Sequence, residues 1–88
     1  MKHIKFKSDD KYYHVEYYGD KNNTVRRLER SDERFELLNS MIDRDSDKIE
    51  DCIIEIENSS SGETFCRVIR NVSYWDGLFI ITWHDVVY

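Results

Sequence analysis

Asp76-Gly77 stands between Tyr74-Trp75 and Leu78-Phe79. A type I′ turn needs positive φ at both central residues, which Asp-Gly tolerates, and the flanking residues are strand formers. The C-terminal part of the chain is therefore committed to a tight β-hairpin. The same kind of patterning recurs upstream. Ile4 and Phe6 alternate with His3, Lys5 and Lys7, and Cys52, Ile54 and Ile56 alternate with Ile53, Glu55 and Glu57. Period-2 alternation marks half-buried strands. Lys11 to Tyr18 is rich in Tyr and Val, and reads as a second strand folding back on the first after a Ser8-Asp9-Asp10 turn. Gly19 to Asn23 is a loop, and Thr24 to Leu28 a short third strand. Beyond the loop Asn58 to Gly62, Thr64 to Val72 reads as a fifth strand. The last, Leu78 to Val87, starts apolar on both faces, as a central or covered strand does.

One helix interrupts this series. Ser31 or Asp32 suits its N-cap, and Asp32, Glu33 and Glu36 suit the positive end of its dipole. Phe35, Leu38, Met41 and Ile42 form one apolar stripe, with Leu37 beside it, and the spacing predicts a helix ending at Asp43 or Arg44. The expected fold is a single α+β domain over residues 1–88. A mostly antiparallel sheet of five to six strands, in the order βββ-α-βββ, packs on one helix.

Composition restricts the class. With 40% hydrophobic and 14% aromatic residues, the chain is too apolar and too well patterned for disorder. No apolar run approaches the ~20 residues of a membrane span. Met1 to Lys7 lacks the apolar block of a signal peptide, so the expected location is cytoplasmic. Cys52 and Cys66 are expected to be reduced core thiols. A four-residue loop Ser59–Gly62 would pair Cys52 with Ile69 and turn Cys66 to the opposite face, whereas a three-residue loop would place the two thiols diagonally on one face. The abundance of Lys, Asn, Asp, Glu, Ile and Tyr is the mix that AT-rich coding DNA gives, as in many phages and Gram-positive bacteria.

The patterns that would signal chemistry fail on inspection. Asp43, Asp45 and Asp47 form D-x-D-x-D, but an EF-hand needs Gly where Lys48 stands and a bidentate Glu where Ile54 stands. Trp83-His84-Asp85 with Cys66 is no catalytic constellation, because adjacent strand residues point to opposite faces. The scattered histidines and cysteines match no metal-ligand spacing, and no glycine-rich loop offers a phosphate cradle. The chain is expected to be no enzyme, with no cofactor and no metal.

Charge is the feature that speaks to function. Residues 1–30 hold eight Lys/Arg against five Asp/Glu, and residues 31–63 hold three against eleven. The acidic part offers Glu36, Asp43, Asp45, Asp47, Glu50, Asp51, Glu55 and Glu57 as a surface for a basic protein partner. The leading expectation is a non-enzymatic acidic binding protein. A phage-type inhibitor acting in the host cytoplasm, which mimics DNA to occupy a host nuclease or CRISPR effector in the manner of anti-CRISPR and anti-restriction proteins, would fit. The alternative is a small single-stranded nucleic-acid-binding protein. It would use His3, Lys5, Lys7, Tyr12, His14 and Tyr18 on one sheet face opposite Ile4, Phe6, Tyr13, Val15 and Tyr17, with Arg26 or Arg27 joining. A third reading, a homo-oligomer subunit, rests on the apolar last strand and Trp75.

Overall fold

The computed structural model describes residues 2–42 and 52–84. The element order is β1 (His3–Ser8), α1 (Asp10–Tyr17), β2 (Asn23–Arg26), α2 (Glu33–Asn39), β3 (Ile53–Asn58), β4 (Thr64–Trp75) and β5 (Leu78–Trp83). The α+β class holds, but the order is β-α-β-α-βββ. The five strands form one curled, mixed sheet in the spatial order β1-β3-β4-β5-β2.

The first difference from the sequence reading is α1. Tyr and Val favour strands, yet Tyr13, Glu16 and Tyr17 fall at the i, i+3, i+4 spacing of a helix face. Tyr13 is buried and stacks on Tyr17, with ring centroids 6.1 Å apart. Glu16 is buried too, so the inward face of the helix contains a charge and does not read as an apolar stripe. Val15 is only half-buried and Tyr17 stays exposed, contrary to their expected core positions. With residues 10–17 taken off the sheet, β1 pairs with β3, and in parallel. A parallel pair needs a long crossover, and α1, β2 and α2 supply it.

The second half follows its pattern closely. Cys52, Ile54 and Ile56 point inward, and the Ile69 N–H donates to the Cys52 carbonyl at 2.9 Å, which is the register a four-residue loop requires. Cys66 is exposed rather than core, and both thiols are free. Strand β4 runs unbroken from Thr64 to Trp75, with a bulge at Arg70 between the pairs Ile69↔Trp83 and Asn71↔Thr82. The extra residue lets Ile69 and Val72, three apart, both face inward. Asp76 and Gly77 have φ of 51° and 78°, as the type I′ turn demands. Strand β5 lies between β4 and β2, so its edges are covered; Trp75, at the hairpin tip, is 70% exposed.

Helix α2 starts where expected, with the Asp32 carboxylate accepting from the Arg34 N–H at 2.9 Å. It ends early, at Asn39. Met41 and Ile42 then leave the helix, and Ile42 makes an isolated parallel bridge to Val72. Leu38 and Met41 join Ile4, Phe6, Ile54, Ile56, Phe79, Ile81 and Trp83 in one core, with Phe35, Leu37 and Ile42 packed against it. No described helix is long and apolar enough to cross a membrane.

Candidate functional site

The parallel pairing of β1 and β3 decides what happens to the two charged surfaces. Its register sets Lys5 beside Glu55 and Lys7 beside Glu57, with every one of these side chains on the outer face. The Lys5 ammonium reaches Glu57 at 2.9 Å and Glu55 at 3.4 Å, Lys7 reaches Glu57 at 3.6 Å, and His3 Nε2 lies 3.0 Å from Glu55. The basic row and the acidic row thus meet as one charge ladder. Hydrogen bonding to Lys5, with its charge beside it, holds the Glu57 carboxyl below the usual carboxylate range. Hydrogen bonding to Glu57 in turn raises the Lys5 ammonium. Glu36 is exposed on α2; Asp43, Asp45, Asp47, Glu50 and Asp51 lie outside the described residues, as does Asp85.

Tyr12, His14 and Tyr18 are on or next to α1 rather than on a sheet face. His14 is paired with Asp10 at 3.2 Å and stacks on Tyr18. Tyr12 is half-exposed, with the Lys11 and Lys21 ammonium groups 5.9 and 5.6 Å from its ring centre.

The sheet curls far enough to bring its two edge strands, β1 and β2, to a common seam. Arginines close it. Arg26 of β2 donates from Nη1 to the Lys7 carbonyl at 2.7 Å and from Nη2 to Ser8 Oγ at 2.8 Å. Arg34 of α2 donates from Nη1 to the Lys5 carbonyl at 2.7 Å, while its Nε and Nη2 grip both oxygens of Asp32. Both guanidinium groups also lie over the Phe6 ring, at 5.0 and 4.5 Å. An edge strand's outward carbonyls need partners, and the arginine forks supply them where a ladder cannot form.

Along this seam run two adjoining grooves. The larger, of about 470 Å³, is lined by Lys5, Phe6, Lys7, Arg26, Arg27, Leu28 and Arg34. The other, of about 280 Å³, shares Lys7 and Arg26 and continues past Tyr12, Lys21 and the buried Glu16. Arg27, which packs on the β4–β5 turn at Gly77, takes part in none of the ion pairs found among the described residues. The sequence pointed to Lys5, Lys7, Tyr12 and the Arg26/Arg27 pair. It carried no signal for Arg34 or Lys21, because only the curl of the sheet brings them to the seam. Compared with family models, with curated proteins and with solved structures, the chain matches none.

Proposed function

We propose that the protein is a non-enzymatic binding module that holds an anionic strand, single-stranded nucleic acid, along the seam between β1 and β2. The observation that carries this reading is the convergence of five cationic side chains on one groove, with Tyr12 at the end of the adjoining one. Phosphates would lie along Lys7 and Arg27, and the exposed Tyr12 ring offers a face on which a base can stack. Arg26 and Arg34 act as much on the fold as on a ligand, since their donors are already engaged.

The test uses labelled single-stranded oligonucleotides and two variants chosen to spare the fold. Arg27→Ala should lower the salt slope of log affinity by about 0.7, the contribution of one phosphate contact. Tyr12→Ala should cost about 1–3 kcal/mol if its ring stacks on a base. Affinities that ignore both changes would remove the seam as the site.

A second reading keeps the acidic docking of a basic protein partner, such as the nucleic-acid groove of a nuclease or CRISPR effector. It rests on residues 43–51, which hold Asp43, Asp45, Asp47, Glu50 and Asp51 against Arg44 and Lys48. Glu55 and Glu57 support it less, being matched by β1. Charge reversal at Asp45 and Asp47 should slow association with such a partner most at low salt, and an unchanged on-rate would end this reading.

A further inference from the structure

Three strands bring three different metal-ligating side chains to one point on the outer face. His3 comes from β1, Glu55 from β3 and Cys66 from β4, and their ligand atoms all lie within 4.8 Å of one another. Glu55 sits in the middle because β3 pairs with β1 on one side and, through Glu55↔Cys66, with β4 on the other. His3 Nε2 and Cys66 Sγ converge on the same carboxylate oxygen, Oε1, at 3.0 and 3.9 Å. The second oxygen, Oε2, is turned to the Lys5 ammonium at 3.4 Å.

We propose that His3, Glu55 and Cys66 form a binding site for a divalent transition-metal ion of the zinc type. A tetrahedral ion with bonds of about 2.0–2.3 Å holds its ligand atoms roughly 3.3–3.8 Å apart, so the three atoms, now within 4.8 Å of one another, need close by no more than about 1 Å. Imidazole and thiolate select zinc-type ions over calcium or magnesium, which take oxygen ligands. His3 binds through Nε2 with the proton kept on Nδ1, Glu55 through Oε1, and Cys66 as thiolate, its proton passing to solvent. Water takes the fourth position, since His3 and Cys66 are exposed. Lys5 stays on Oε2 and orients the carboxylate, as an outer partner does in known metal sites. All three ligands stand on strands whose register is fixed by backbone bonds, including Ile53 N–H to the Lys2 carbonyl at 2.8 Å, so little ordering remains for the ion to impose. Burial and the Glu55 charge raise the Cys66 thiol; Arg67 opposes them, and the ion must displace a proton held more firmly than usual.

The reduced full-length chain is titrated with Co²⁺, an optical stand-in for zinc. The expected result is one equivalent bound, with a thiolate-to-cobalt charge-transfer band in the near ultraviolet, and displacement by Zn²⁺. Cys66→Ser should abolish the band, and His3→Ala or Glu55→Gln should weaken binding by at least ~100-fold, beyond the loss typical of outer-shell partners. Circular dichroism of each variant reports whether the fold is kept. Absence of the charge-transfer band in the wild-type chain would overturn the site. So would equal cobalt affinity in folded Cys66→Ser, which would place the ion on oxygen ligands elsewhere.

Discussion

Glu16 is a carboxylate with 1% of its surface exposed, on a helix whose other buried residue is Tyr13. A charge so placed survives only with partners. Ser8 Oγ donates to it at 2.9 Å, the Lys21 ammonium lies 3.6 Å away, and its field acts on Arg26. One side chain thus ties α1 to the end of β1 and to the loop before β2. Glu16→Ala should lower the unfolding free energy by about 1–3 kcal/mol in urea titration, the cost of leaving buried partners unpaired. An unchanged midpoint would mean that α1 docks through Tyr13 alone. Asp32 makes a second residue-scale case. Hydrogen bonds from the Arg34 side chain and backbone hold its carboxyl down to about 2, against an ordinary 3.8. The folded state therefore binds this proton more weakly than the unfolded chain does. The stabilisation is complete above about pH 4 and is lost as pH falls towards 2. Asp32→Asn, which can still cap the helix, should flatten the fall in stability between pH 4.5 and 2.5, and an identical fall in both proteins would contradict this.

At the scale of elements, local chemistry and long-range placement separate cleanly. The β4–β5 turn was legible because Asp76-Gly77 has few conformations to choose from, and α2 began where Asp32 can cap it. Strand β3 was legible from strict alternation. Helix α1 was not, because its inward face presents Tyr13 and Glu16, and a buried carboxylate looks like a surface residue in sequence. That one error converted a parallel β1–β3 pair into an imagined β1 hairpin. It also hid the charge ladder, since Lys5 and Glu55 meet only in parallel register. Gly77→Ala tests the turn. Its φ of 78° costs an L-residue about 1–2 kcal/mol, and the new Cβ would lie 2.6 Å from Arg27 Nη1. Loss of that stability, together with altered oligonucleotide affinity as Arg27 is displaced, is the expected pair of effects; full stability in the variant would rule out the positive-φ turn.

For the whole molecule, the curl of the sheet is the organising fact. It brings β1 and β2, at opposite ends of the strand order, to one seam that Arg26 and Arg34 close with their side chains. The seam is where the cations gather; the sequence offered Lys5, Lys7 and the Arg26/Arg27 pair, but no local pattern encodes which edges meet, so Arg34 and Lys21 were missed. The arginines occupy the Lys5 and Lys7 carbonyls of the β1 edge, which competes with strand pairing there. Arg26→Lys keeps the charge and loses the fork, so it should cost about 1.5–3 kcal/mol, as hydrogen bonds to charged groups do. Amide exchange should quicken along β2 if the seam opens, and unaltered exchange with unaltered stability would show that the fork is dispensable.

Net charge sharpens the central question. The chain carries −5 overall, yet the excess is concentrated: residues 43–51 hold five acidic against two basic residues, whereas the seam gathers five cationic side chains. Whether the local or the overall field governs binding is decided by fluorescence titration of the wild-type protein with labelled single-stranded and duplex oligonucleotides at low and physiological salt. Saturable binding of the single strand, weakening as salt rises, is the result the seam requires. No binding at low salt, where attraction to phosphates is strongest, would contradict it and leave a basic protein partner for the acidic segment as the surviving reading.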